Sequence, residues 1–227
     1  MSHSLAPHLI GRTGPSRRKG ADLTFLDDLT LTRARVHELC GSARRTLALV
    51  IAQALDGPVI WITPDWNSAR LHAEGVVSFL GPERLLFVNP RREEDLLWSM
   101  EEALRAGVIP CVVADLPKPP ALTPVRRLHL AAETGASEGT TLPLGLILTP
   151  SGAAPGVESR WSLSARHPDT FTRRWKLGRL RARTAPEAEW DVTTIQKKDQ
   201  KHITLTCRDR SAHQGNTQVS DAYIGAS

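Results

Sequence analysis

Several features that would assign a protein of this size to a familiar class are missing from the sequence. No apolar run approaches the roughly 20 residues that a membrane-spanning helix needs, and residues 1–20 lack the apolar segment of a secretory signal peptide. We therefore expect a cytoplasmic protein with no membrane contact. The chain has only three cysteines, Cys40, Cys111 and Cys207, which are odd in number and far apart. Two of them fall in predicted strands, which favours core packing over a disulfide or a metal site.

The composition is that of one folded domain with a net positive charge. The 227 residues are 41% hydrophobic and 23% charged, which is ample for a single packed core. The formal net charge is +5 and the sequence pI is about 9.5. We assign neither a metal nor a cofactor to this chain.

Strand and helix signals alternate along the chain in the order typical of a parallel sheet covered by helices. Buried strands are predicted by apolar runs at 36–39, 59–63, 85–88, 108–114 and 142–149. Helices are predicted at 46–55, from Asn67 or Ser68 towards 80, around 96–104 with Gly107 as the stop, and from Thr123-Pro124 to Gly135. The sequence therefore predicts an α/β fold with three layers, followed by antiparallel C-terminal strands.

The pattern divides the chain into three parts, which are a flexible segment 1–32, an α/β domain 33–196 and a polar, partly disordered tail 197–227. Within the first part, residues 22–29 offer Leu23, Phe25, Leu26 and Leu29 together with three acids. We interpret this as a short amphipathic turn that covers the sheet edge or docks on a partner. In the last part, 193–208 predicts a turn at 198–200 and a final strand.

The segment 35–55 has the layout of a phosphate-binding strand, loop and helix but lacks the groups that bind phosphate. A working loop reads G-x-x-x-x-G-K-[ST], in which backbone N–H groups and a lysine hold the phosphates. Here Gly41 is followed by a loop two residues too short, and the lysine position is taken by Arg45, next to Thr46. The planar guanidinium of arginine cannot copy the ammonium group of lysine. We therefore predict that this chain is not an ATPase, although a plain strand-turn-helix corner is an equally simple interpretation of the segment.

Two carboxylates occupy positions that nucleotide-binding folds use. Asp115 ends the predicted fourth strand, where a magnesium-holding aspartate lies in such folds, and Asp65 follows the second strand, where a carboxylate would orient the attacking water. The structural alternative for both is a turn or a helix-capping acid. We interpret them at most as relics of a nucleotide site.

Taken together, the segments from 35 to about 190 resemble ImuA, the RecA-like accessory family of bacterial mutagenic DNA repair. The resemblance lies in VHELCG, TLALVIAQALDGPVIWI, GPERLLFVNPRREEDLLWSMEEALRAG, VVADL, PVRRLHLAAETG, LPLGLILTP, SRWSL, RRWKLGRLRART and EWDV. The more specific part is tryptophan flanked by arginine in two late strands. The chain departs from longer relatives in its damaged phosphate loop and in having no glycine-rich segment before the first strand.

The resemblance implies a RecA-like fold and a non-catalytic adaptor for SOS-induced translesion DNA synthesis. Such an adaptor joins a Y-family-like polymerase subunit, ImuB, to an error-prone replicative-type polymerase, and RecA and DNA are further candidate partners. Two alternatives stay open, namely a RecA-class ATPase or DNA-binding recombination factor, and a cell-division inhibitor similar to SulA.

A basic segment between Arg160 and Arg183 is the strongest surface candidate, since it holds eight Lys/Arg residues and the single acid Asp169. Apolar and basic residues alternate along it, with a slip at Gly178. A strand with a bulge at Gly178 would turn a row of five cations outward, to phosphates or to an acidic partner. The alternative is a solvated edge strand protected by charge. The candidate surface comprises Arg173 and the row itself, Arg174, Lys176, Arg179, Arg181 and Arg183.

Overall fold

The computed structural model describes residues 22–166, 173–195 and 204–210, and it confirms the predicted α/β fold class. The strands are β1 Asp22–Phe25, β2 Leu29–Thr32, β3 Val36–Cys40, β4 Val59–Ile62, β5 Leu85–Val88, β6 Cys111–Asp115, β7 Leu144–Leu148, β8 Ser159–Ala165, β9 Arg174–Ala182, β10 Ala188–Ile195 and β11 Thr204–Arg210. The helices are α1 Arg44–Gln53, α2 Ala73–Val77, α3 Glu93–Ala106 and α4 Leu122–Glu138, with a 3-10 turn at Pro82–Arg84.

Nine of these strands form one mixed sheet in the order β11-β10-β9-β8-β3-β7-β6-β4-β5. The six strands from β8 to β5 in this order are parallel to one another, whereas β8, β9, β10 and β11 pair antiparallel. The final strand predicted within 193–208 is therefore confirmed as β11. The turn predicted at 198–200 lies outside the described residues.

Apolar residues on both faces of the sheet create the three layers. On one face, α1 packs Leu47 and Ile51 against a core that includes Trp61 and Trp161. On the other face, α3 and α4 bury a second cluster, whose largest members include Leu96, Met100, Leu104 and Leu128. Strands buried on both sides read as continuous apolar runs, which is why their positions are evident in the sequence.

The segment 22–32 forms a β-hairpin and not the flexible chain that its sequence predicts. β1 and β2 pair antiparallel around a turn in which Leu26 and Asp27 have positive φ. Leu23 and Phe25 are buried, and the Phe25 ring lies 5.5 Å from the Trp161 ring. Two strands thus take the place of the predicted amphipathic turn, and at Trp161 they cover a face of the sheet and not its edge.

Two helices differ from their predicted limits. The helix expected to begin at Asn67 or Ser68 is confined to Ala73–Val77, because the Asn67 side chain accepts a hydrogen bond from the Ala69 N–H in a local turn. α4 continues past Gly135 to Glu138. A Cβ at Gly135 would lie 2.0 Å from the Leu104 carbonyl oxygen, so this glycine permits close packing of α4 on α3 instead of ending the helix.

No helix in the described part of the chain has the length and apolar character needed to cross a membrane. Cys40 and Cys111 are buried in β3 and β6, as predicted for packing residues. Burial raises the pKa of the Cys111 thiol to about 12, so this thiol stays protonated at neutral pH.

Candidate functional site

The segment predicted as a degenerate phosphate loop lies at the carboxyl ends of the parallel strands, where open α/β sheets bind ligands. Residues Gly41, Ser42 and Ala43 connect β3 to α1. β7 separates β3 from β6, so that Asp115, the last residue of β6, faces the start of α1 from two strands away. The fold thus brings the predicted loop and one predicted carboxylate to the same place.

The loop uses its backbone amides internally. The Ala43 N–H donates to the Leu163 carbonyl at 2.9 Å, and the Arg44 N–H donates to the Gly41 carbonyl at 3.3 Å. The Ser42 hydroxyl accepts a hydrogen bond from the Ala165 N–H at 3.2 Å. In a phosphate-binding loop such amides point at the ligand, whereas here they attach the loop to β8 and to itself.

Glycine at position 41 is required by this attachment. Gly41 has φ +89°, a conformation that side chains disfavour. A Cβ there would lie 2.6 Å from the Leu163 carbonyl oxygen. The first residue of the predicted phosphate motif therefore has a structural role in packing the loop against β8.

Arg45 forms a direct ion pair with the Asp115 carboxylate. Its Nε donates to Asp115 Oδ2 at 2.5 Å, and Arg44 Nε lies 3.7 Å from Oδ1. The Asp115 side chain is only 3% exposed. Cations at a helix N-terminus are disfavoured by the helix dipole, and Asp115 supplies the compensating negative charge. Asp115 thus neutralises arginine charge that the phosphate groups of a nucleotide would neutralise in a working site.

The other two predicted positions do not join this pair. Thr46 is half-buried in the first turn of α1. Asp65 is 53% exposed and forms an ion pair with Arg70 at 3.5 Å. Within the described residues, no hydrogen bond or ion pair connects Asp65 to the loop or to Asp115. The structure therefore assembles Gly41, Arg45 and Asp115 and leaves Asp65 outside.

Two buried titratable residues of β3 were not singled out by the sequence. Glu38 is fully buried and accepts hydrogen bonds from Thr149 Oγ1 at 2.6 Å, Ala154 N at 3.1 Å and Arg160 Nε at 2.5 Å. These bonds join β3 to the segment that follows β7 and to β8. The only sequence signal is the pair of polar residues, His37 and Glu38, inside an otherwise apolar strand.

His37 is held as a neutral imidazole. Its Nε2 lies 2.9 Å from the Thr32 carbonyl, an acceptor, so Nε2 carries the proton and Nδ1 accepts from the Ser159 hydroxyl at 2.7 Å. Ser159 Oγ in turn accepts from Trp161 Nε1 at 2.8 Å. Burial lowers the pKa of His37 to about 4. Because every polar atom here has a partner, we assign this network to the stability of the fold.

The basic strand β9 has its bulge at a different residue from the one predicted. Trp161 of β8 pairs with Arg179, but Arg160 pairs with Arg181, so the register shifts at Leu180 and not at Gly178. Arg179 therefore lies on the same face as Trp161. Its guanidinium carbon lies 5.6 Å from the Trp161 ring centre and 5.3 Å from that of Trp190, and its Nε donates to the Pro186 carbonyl at 2.8 Å.

The remaining cations of the row share the opposite face. Strand alternation before and after the bulge places four side chains there, those of Arg174, Lys176, Arg181 and Arg183. Lys176 Nζ lies 2.5 Å from Glu189, Arg183 Nε lies 3.5 Å from Glu158, and Arg181 is exposed. Arg173, just before β9, is also exposed. In the described part of the chain, no helix covers this face of β9 or β10.

No protein-family model matches this chain, and a search of curated proteins also found no match. Three features therefore bear on function, namely the closed loop, the open basic face and the resemblance of the sequence motifs.

Proposed function

We propose that the protein is a non-catalytic, RecA-like adaptor in SOS-induced, error-prone translesion DNA synthesis. In this role it would act in the cytoplasm and link an ImuB-like polymerase subunit to an error-prone replicative-type polymerase. The motif resemblance suggests the pathway. The geometry supports the non-catalytic part, and the observation that carries it is the Arg45–Asp115 ion pair beside a loop whose Ala43 amide is bonded to Leu163.

A nucleotide would have to overcome both features before its phosphates could bind. Removing Arg45 from Asp115 would leave a carboxylate buried without its partner, which typically costs about 3–5 kcal/mol when a pair is fully buried and less here, because the Arg45 side chain is 26% exposed. Freeing the Ala43 amide would also detach the loop from β8. Both costs would make the free energy of ATP binding less favourable.

Titration of the purified chain with a fluorescent ATP analogue and Mg²⁺ tests this part. We expect no saturable binding, either in the wild type or in Arg45→Lys, because a lysine does not free the loop amides. Saturable micromolar binding that disappears in Thr46→Ala would contradict the proposal.

The adaptor role is tested in cells by damage-induced mutation frequency. Deletion of the gene should lower this frequency, and the wild-type chain should restore it. Asp65→Asn should restore it equally, since Asp65 is exposed and lies apart from the remnant site. Failure of the deletion to lower mutagenesis would refute a role in translesion synthesis.

A DNA-binding recombination factor is the second candidate, because Arg174, Lys176, Arg181 and Arg183 share one open face. Binding to single-stranded DNA through this face should weaken with salt, and each lost phosphate contact should reduce the slope of log affinity against log salt by about one unit. A salt series on wild type and Arg181→Gln distinguishes this candidate from a protein-only adaptor.

A further inference from the structure

The helical layer over one sheet face has a vacant position next to α4. The connections β3 to β4, β4 to β5, β5 to β6 and β6 to β7 each contain a helix. The connection from β7 to β8, residues 149–158, also joins parallel strands but contains none. It crosses the face as irregular chain and buries two of its own residues, Ala154 and Val157, in the core beneath α3 and α4. A step therefore forms between α4 and this thinner connection.

A groove of about 390 Å³ lies along this step. One wall is formed by α4 residues that are three or four positions apart and so share one face of the helix, namely Leu122, Arg126, Leu130 and Glu133. The other side is formed by Gly156, Glu158 and Arg183. From Leu122 to Glu133 this wall extends about 16 Å, which is the length of a three-turn helix.

The α4 wall exposes apolar surface that the described residues do not cover. Leu130 is 62% exposed and Leu122 is 38% exposed, although both lie on a helix whose opposite face is fully buried. Together they offer two anchors, eight residues apart on the same face. An amphipathic helix laid along α4 could contact both with its own apolar residues, which recur at i, i+3 or i+4, and i+7.

The charge around the groove favours an acidic occupant. Glu133 is paired with Arg35, and Glu158 lies within 4 Å of both Arg35 and Arg183. Arg126 is exposed and forms no ion pair with any other described residue. The basic row of β9 continues the positive charge beyond Arg183. Nucleic acid fits less well, because the exposed side chains of Leu122 and Leu130 give phosphates no partner.

We propose that this groove binds an acidic amphipathic helix of a protein partner, which supplies the helix missing between β7 and β8. This inference depends on the proposed adaptor function and identifies the surface through which it acts. The partner helix would have about three turns, with apolar residues at i, i+3 or i+4, and i+7 towards α4 and carboxylates towards Arg126 and Arg183.

Fluorescence anisotropy of the full chain with a designed probe tests the groove. The probe is an 18-residue, fluorescein-labelled helical peptide with leucines on one face and glutamates beside them. A scrambled peptide of the same composition is its control. We expect Leu130→Glu and Arg126→Glu each to weaken binding of the probe by at least about tenfold, which corresponds to about 1.4 kcal/mol.

Matched variants at the far edge of the sheet control for added charge. Leu86 is 48% exposed on β5, and Arg91 is exposed just after it. Leu86→Glu and Arg91→Glu should leave the affinity for the probe unchanged. Equal binding of the scrambled peptide, or equal loss in the β5 variants, would overturn the proposal.

Other occupants of the groove give different results. Tighter probe binding after removal of residues 211–227 would assign the groove to the chain's own terminus, and a dimer that Leu130→Glu dissociates in sedimentation would assign it to a second copy. Loss of single-stranded DNA binding in Arg126→Glu without loss of probe binding in Leu130→Glu would assign it to nucleic acid. Each of these outcomes contradicts the proposal.

The mutagenesis assay distinguishes failure of the adaptor proposal from failure of the groove proposal. If deletion of the gene lowers damage-induced mutagenesis but Leu130→Glu restores it fully, the adaptor role stands and the groove proposal fails. If deletion has no effect on mutagenesis, the adaptor role itself fails. If deletion lowers mutagenesis and Leu130→Glu fails to restore it at normal protein levels, both are supported.

Discussion

Replacing Arg179 by glutamine should destabilise the fold, whereas the same change at Arg181, two residues away, should not. The Arg179 guanidinium lies over the rings of Trp161 and Trp190 and its Nε donates to Pro186. Each cation–π contact contributes about 0.5–1 kcal/mol at a partly exposed site, and a hydrogen bond from a charged donor adds a similar amount or more. We therefore expect Arg179→Gln to lower the free energy of unfolding by about 1–2 kcal/mol.

Urea denaturation followed by circular dichroism measures the difference. Arg181 is exposed on the opposite face, so Arg181→Gln should change stability by no more than about 0.5 kcal/mol. Both variants remove one positive charge, and so any effect of net charge is the same in each. The urea midpoint should fall in Arg179→Gln with an unchanged slope, and its melting temperature should fall by about 2–8 °C. Equal stability of the two variants, or a greater loss in Arg181→Gln, would refute the position of the bulge at Leu180.

Three further predictions concern Asp115, His37 and Gly41. Asp115→Ala should lower the free energy of unfolding by about 2–3 kcal/mol in a urea titration without creating ATP binding, because Arg45 loses its partner. The pKa of His37 is lowered from 6.5 to about 4, so the unfolded chain takes up this proton first as the pH falls. Stability should therefore be complete above pH 6.5 and decline by up to about 3 kcal/mol towards pH 4, and His37→Gln should flatten that part of the pH profile. Gly41→Ala should destabilise the fold by about 1–3 kcal/mol, whereas Gly75→Ala in α2, with open space around its Cα, should be neutral or stabilising on the same thermal melt.

The parallel strands could be predicted from the sequence because the pattern that indicates each of them lies within the strand itself. Strands buried on both faces require unbroken apolar runs, and the predicted runs at 36–39, 59–63 and 85–88 differ from the observed strands by at most one residue. Helices ended by a glycine with positive φ, such as α3 at Gly107, were equally clear. Gly135 was misinterpreted because the reason for a glycine there is the Leu104 carbonyl on another helix.

The errors at the candidate sites also arise from contacts between residues that are far apart in the sequence. The bulge in β9 depends on which residues of β8 lie opposite, and alternation within β9 alone placed it at Gly178, where the apolar pattern slips. In fact the pairing of Trp161 with Arg179 moves it to Leu180. The hairpin of 22–32 was missed because its two strands have only four residues each and are stabilised by packing on Trp161.

The loop at residues 41–43 is closed in part by two charged side chains that support each other, those of Arg45 and Asp115. An arginine at position 45 would be unfavourable at the N-terminus of α1 without a nearby anion, and a buried Asp115 would be unfavourable without a nearby cation. Each therefore stabilises the other only while no phosphate is present. Restoring a lysine at position 45 changes neither the length of the loop nor the bond from Ala43 to Leu163. Because the loop is closed by backbone pairing with β8 as well as by charge, opening it to phosphate would require rebuilding the loop and the adjacent strand together.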